Sequence, residues 1–218
     1  MDWLLTDNGW ELYLSGFWMT IRLTAAAGLV ALVLGTMVAT ARVSPVPILR
    51  AVGSTYVTLF RNTPLLVLIL ITVFGLPEIG IDFGFFWNAV VAIGLYTAAF
   101  VSEAVRSGLN GIPVGQAEAA RAIGMPFVPT MTNVILPQAF RFVIPPLASV
   151  FIALTKNTSL VAVFGIAEAA YRMYGFFNKF ASEKFSIFIG IALGYIAIVA
   201  VISGVSHLLE RRWRVVAR

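Results

Sequence analysis

The sequence predicts an all-α integral membrane protein with five transmembrane helices and a cytoplasmic helical segment between the third and fourth. Three observations lead there. Hydrophobic residues make up 60% of the 218 residues and charged residues 11%, whereas a soluble domain carries roughly 25% charge. Apolar runs long enough to cross a bilayer, about 20 residues each, recur along the chain, and the mean hydropathy is +0.92. The arginines flank those runs, so the net charge of +5 reads as a set of topology signals and not as a nucleic-acid surface.

The whole of residues 1–218 reads as a single transmembrane domain. The first span is expected at 14–41, with a charge-free stretch from Leu23 to Ala41 that follows Arg22. The second, 56–77, requires Arg61 to lie near its inner end. The third is expected at 83–105, the fourth at 142–164 with Lys156 inside it, and the fifth at 185–208. The first run follows Asp2, Asp7 and Glu11 and has no basic leader or small-residue cleavage pattern, so no cleaved signal peptide is expected. There are no cysteines and one histidine, His207, which excludes a disulfide framework and a cysteine metal site.

Five spans put the termini on opposite sides. With the amino terminus outside, the cytoplasmic set is Arg42, Arg50, Arg61, Arg106, Arg121, Arg141, Arg211, Arg212, Arg214 and Arg218; the outer set is Arg172, Lys179 and Lys184. Cytoplasmic loops favour Lys and Arg, so the carboxyl terminus is placed inside. The connection 107–140 is then cytoplasmic, and a connection this long is often functional.

Within it, "PVGQAEAARAIG" predicts a short helix rich in alanine. Glu118 and Arg121 stand three apart and are able to pair. Gly124 and Pro126 supply a stop. Pro129 is placed to open a second short helix ending before Pro137. The bland alternative is a helix lying on lipid, but the large apolar face an interfacial helix needs is missing.

"EAARAIGMPFVPTMTNVILP" resembles the EAA motif of the permease subunits of bacterial ABC importers. Glu118, Ala119, Ala120, Gly124, Leu136 and Pro137 match its spacing, and Val134 stands where isoleucine is usual. "FWMTIRLT", "LFRNTPLLVLIL", "FVSEAVRSGLNGIPVGQAEAAR" and "LPQAFRFVIPPLASVFIALTKNTSLVAVFGIAEA" look like the polar amino acid branch of the type I importers, with glutamate and glutamine uptake permeases the most similar. The resemblance implies that Glu118, Ala119, Ala120, Arg121 and Gly124 form a coupling helix docking into a cytoplasmic ATPase. It also implies a dimer of ATP-binding cassette ATPases, a second permease chain (a paralogue or an identical copy) and an extracytoplasmic amino acid binding protein. The substrate is expected to be a polar amino acid, glutamate- or glutamine-like, with another polar or basic amino acid as the alternative.

Several single residues carry expectations of their own. Lys156, followed by Asn157 and Thr158, is ionisable within a span, which by default marks a substrate pathway or a paired interior site; the alternative is a snorkelling lysine. Pro145 and Pro146 favour a kink, either plain shape or a gate hinge. Glu103 and Arg106 are expected to form a helix-end ion pair, and Arg22 to snorkel to the outer interface. Arg211, Arg212, Trp213 and Arg214 read as an interface anchor.

No Gly-x4-Gly-Lys-Ser/Thr loop occurs, so ATP and its magnesium would be held by partner ATPase subunits and no cofactor by this chain. An intramembrane enzyme would need an aspartate pair, a Ser/His dyad or a zinc site, and no span contains Asp. A channel would need a filter signature or a repeated charged ring, and the sequence shows neither.

Overall fold

In a computed structural model of the chain, residues 2–6 and 8–213 are described; Asp7, Arg214 and Arg218 of the charge argument lie outside them. Among the described residues the chain is helical, with no strand. A short α1 (Asp2–Leu5) leads into α2 (Gly9–Val43). At 1.5 Å per residue α2 is about 52 Å long, well beyond the roughly 30 Å hydrocarbon core. Trp3 is fully buried beside its first turns with Phe17, Phe176 and Ile187.

Four helical runs are long and apolar enough to cross a membrane: Gly9–Val43, Phe85–Asn110, Phe127–Phe164 and Ala181–Arg212. The second predicted span, 56–77, is not one straight helix. Helix α3 (Pro47–Asn62) and the run Leu65–Glu78 meet at 98°. Pro64 explains the break, because the residue before a proline is pushed out of the α region; Thr63 is extended, with ψ at 129°. The second arm comprises α4 (Leu65–Leu70), a π-helical turn at Ile71–Gly75 and α5 (Leu76–Glu78). Only 65–78 therefore lies along the second arm, and α3 turns away across the ends of α2 and α6 (Phe85–Asn110).

The centre of the fold is the packing of α2 on α6. Ala27, Ala31, Gly35 and Ala39 recur every four residues and are all buried, so they form one stripe along the helix. Small residues at that spacing let helix backbones approach closely, which is how helices associate where there is no water to drive them together. A Cβ added at Gly35 would lie 2.7 Å from the Ala98 carbonyl oxygen and 2.6 Å from the Val101 Cβ. Backbone cannot give way, so Gly35→Leu is expected to lose about 1–3 kcal/mol to overpacking. Thermal unfolding in detergent checks this, and a variant that melts like the parent would show that α2 and α6 separate easily.

Helix α6 ends at Asn110, α7 spans Val114–Ala122, and α8 is a single turn at Phe127–Pro129. The expected second short helix, ending before Pro137, does not end there. From Thr130 to Ile135 the chain is π-helical and then runs into α9 (Leu136–Asn157) through Pro137. A wider turn absorbs a residue that has no amide hydrogen to give. Two side chains bond main-chain carbonyls one turn back: Thr132 Oγ1 donates to Val128 O at 3.0 Å and Gln138 Nε2 to Val134 O at 2.7 Å. Pro145 and Pro146 lie inside α9, which continues through them. A 3₁₀ segment, Thr158–Phe164, closes at Gly165, where φ is +81°. The chain then forms α10 (Ala169–Lys179) and α11 (Lys184–Trp213).

Candidate functional site

The predicted residues fall at three places. The first is α7 and the turn after it. Val114 to Ala122 form the helix, and Gly124 stops it at a φ of +80° with open space around its Cα; side chains other than glycine are strained in that region. Glu118, Ala119, Arg121 and Gly124 are exposed, while Ala120 is buried against the body of the protein. Glu118 and Arg121 do not pair. Arg121 turns back along its own helix, with Nε donating to the Ala117 carbonyl at 3.3 Å, which leaves the Glu118 carboxylate facing outward. Around this polar centre Val114, Ile123, Phe127 and Val128 are 66 to 79% exposed. The surface is therefore a small-residue helix with two unpaired charges and a rim of large apolar side chains. Gln116 Oε1 accepts from Gln138 Nε2 at 3.3 Å, which ties α7 to the foot of α9.

The second place is the carboxylate of Glu103. The sequence spacing predicted its pair with Arg106, which the structure contains at 3.8 Å. It also brings Arg42 to 3.0 Å and Arg61 to 3.4 Å of the same group. Three helices thus converge on one acid: α2 through Arg42, α3 through Arg61 and α6 through Glu103 and Arg106. Arg42 is the inner member, with its side chain 9% exposed, and it also donates to Ser102 Oγ. Arg61 lies over the Phe100 ring at 5.6 Å.

The third place is Lys156–Thr158, where the three neighbours part company. Thr158 is fully buried and donates to the Thr155 carbonyl at 2.8 Å. Asn157 lines a cleft of about 400 Å³ between α6 and α9, shared with Tyr96, Thr97 and Ser149. The Thr97 hydroxyl is buried beside it without a partner among the described residues. Lys156 is exposed on the outside of this single chain, not in its interior as the sequence reading expected, because the helical repeat points successive side chains about 100° apart. Pro145 is exposed and Pro146 half-buried one face away. Arg22 is exposed with its guanidinium 5.0 Å from the Phe86 ring centre.

One buried acid was not foreseen. Glu168 is fully buried; Tyr195 donates to it at 2.6 Å, Thr20 at 3.3 Å and the Tyr171 amide at 2.9 Å. Burial pushes its carboxyl above the usual carboxylate range, and these hydrogen bonds partly oppose the shift. It caps α10 and joins that helix to α2 and α11. Sequence offered no signal, because glutamate is not a favoured N-cap residue and lies between the apolar runs.

Among the described residues no group of His, Cys, Asp and Glu is placed to hold a metal ion. The described residues thus form a bundle of membrane-length helices that leaves the partly apolar α7 surface open. Residues 31–215 match the family described as binding-protein-dependent transport system inner membrane component, and the chain belongs to that family. It is a transport permease component, not an enzyme.

Its relatives agree over nearly the full length. It is 39% identical to the glutamate transport system permease protein GluC of Corynebacterium glutamicum, covering 97% of this chain and 98% of that protein. It is 37% identical to the L-cystine transport system permease protein TcyB of Bacillus subtilis, covering 96% and 89%. Among solved structures, a chain of an amino acid ABC transporter crystallised with histidines superposes with a TM-score of 0.87 at 32% identity, covering 97% of this chain and 99% of that one.

Proposed function

We propose that this chain is one of two permease subunits of an ATP-driven importer for a polar amino acid of the glutamate or glutamine kind. The observation that carries the reading is the α7 surface, where a rigid small-residue helix with an outward Glu118 and an apolar rim is joined by Gln116 and Gln138 to the foot of α9. Such a surface suits a groove in an ATPase, and the tie gives motion there a route into the membrane. The partners are a dimer of ATPases, which holds the ATP and magnesium, a second permease chain, and a binding protein on the outer side. The convergence of Arg42, Arg61 and Arg106 on Glu103 supports placing the ends of α2 and α6 on one side with α7, with the amino terminus outside.

The substrate path follows the cleft lined by Tyr96, Thr97 and Asn157, and Lys156 meets the substrate carboxylate. An exposed ammonium at membrane depth needs water or a second chain over it, which supports a path between permease chains. Thr158 lies behind this wall and acts by fixing the backbone of the 3₁₀ segment. Pro145 and Pro146, below it on α9, are placed to let the lower half of the helix swing as a gate.

Reconstitution with the ATPase and binding protein tests the reading. Glutamate or glutamine uptake requires ATP, while the chain alone hydrolyses none. Lys156→Met lowers uptake several-fold with assembly intact, and Lys156→Arg does less. Uptake that proceeds without ATP would overturn the importer reading; unchanged kinetics in Lys156→Met would remove the lysine from the path.

A further inference from the structure

An apolar groove of about 680 Å³ lies in the angle between the last turns of α2 and the start of α3. It is lined by Leu32, Val33, Thr36, Met37 and Thr40 of α2 and closed by Leu49 of α3. Val33 and Met37 are about 60% exposed, at 58% and 63%, so the groove is open along its length. Thr40 turns its hydroxyl onto the Thr36 carbonyl at 2.9 Å, which satisfies it within the helix. From Leu32 to Ser44 the groove follows α2 for twelve steps, about 18 Å.

A cation marks its end. Ser44 closes the groove, and Arg50 Nη1 donates to the carbonyls of Ser44 and Pro45, both at 3.0 Å. Those two bonds fix the guanidinium in place and use one of its nitrogens. Among the described residues no carboxylate pairs with Arg50, whose contacts are these two carbonyls.

We propose that this groove binds an anionic phospholipid, with its phosphate on Arg50 and one acyl chain laid along α2 against Val33 and Met37. The geometry separates this occupant from others. A free anion has no use for 18 Å of apolar wall, and a neutral lipid has no use for a fixed, unpaired guanidinium. The groove runs along a membrane-crossing helix and ends where that helix leaves the apolar run, so tail and headgroup fall at their own depths in the bilayer. Basic pockets between helices at the interface favour anionic headgroups. The inference rests on the membrane-embedded reading of the chain and not on its substrate or direction of transport.

The test is native mass spectrometry of the full chain released from nanodiscs containing equal parts phosphatidylglycerol and phosphatidylcholine. The parent retains phosphatidylglycerol in preference. Arg50→Gln reduces that preference at least fivefold. Val33→Trp, which keeps Arg50 and fills an exposed position, reduces it as well. Arg22→Gln, an exposed arginine toward the other end of α2, leaves it unchanged. Retention of phosphatidylglycerol in Arg50→Gln or in Val33→Trp overturns the proposal. So does disulfide cross-linking of Met37→Cys between two copies at an equal rate with and without phosphatidylglycerol, which would make the groove a chain–chain contact.

Discussion

Glu103→Leu melts well below the parent chain. In the native protein one carboxylate serves Arg42, Arg61 and Arg106. The pairs with Arg61 and Arg106 are partly exposed, and such pairs contribute roughly 1 kcal/mol or less each. Arg42 differs, because its side chain is almost out of solvent. Removing the acid strands that guanidinium, and a buried charge left without its partner destabilises by about 3–5 kcal/mol. Glu103→Gln keeps an acceptor and loses less. The decisive measurement is a cycle with Arg42→Met: once the buried cation is gone, the leucine at 103 should do little further harm. A Glu103→Leu protein with parental melting, or full additivity in the cycle, would show that the cluster holds nothing together.

The double substitution Ile123→Asp, Phe127→Asp abolishes ATPase association while the chain inserts and folds. Both side chains are nearly four-fifths exposed, so the fold loses little burial when they become charged. In a complex the same positions sit where a partner would cover them. An uncompensated carboxylate there opposes docking, and charged residues are depleted from the core of interfaces for this reason. Co-purification of the ATPase gives the readout, with Ile79→Asp, a similarly exposed apolar residue at the end of α5, as the control. Parental co-purification of the double variant would move the docking surface elsewhere.

Sequence and structure agree best on the apolar runs and the helix punctuated by glycine, although the local Glu118–Arg121 pair does not form. The apolar runs give the membrane-length helices, and the alanines with Gly124 give α7 and its stop. The bend between α3 and α4 was harder to read because both arms are apolar enough to pass as one span; Thr63–Pro64 was the only signal. Pro137 reads as a stop, but a π turn at Thr130–Ile135 carries the helix across it. Of the partners of Glu103 only Arg106, three residues on, is legible in the sequence, and of those of Glu168 none across the helices is. Each acid collects partners from two or three helices distant in sequence, and no spacing rule reports such a meeting. Lys156 shows the reverse case: its rarity in a span was plain from sequence, but the direction it faces depends on how α9 is rotated in the bundle.

The unbroken helical run Phe127–Phe164 is 38 residues long. It has the shape of a lever arm. Its foot is roped to α7 by the two glutamines, and its tip carries the 3₁₀ segment that ends at Gly165. Between them, at Val143, it bears on Gly108 of α6 so closely that a Cβ at Gly108 would lie 2.9 Å from the Val143 amide nitrogen. Two backbones in contact make a fulcrum that does not compress. The contact stands two residues before Pro145, so a lower half of α9 that swings at the prolines turns about Gly108 and cannot come any closer to α6.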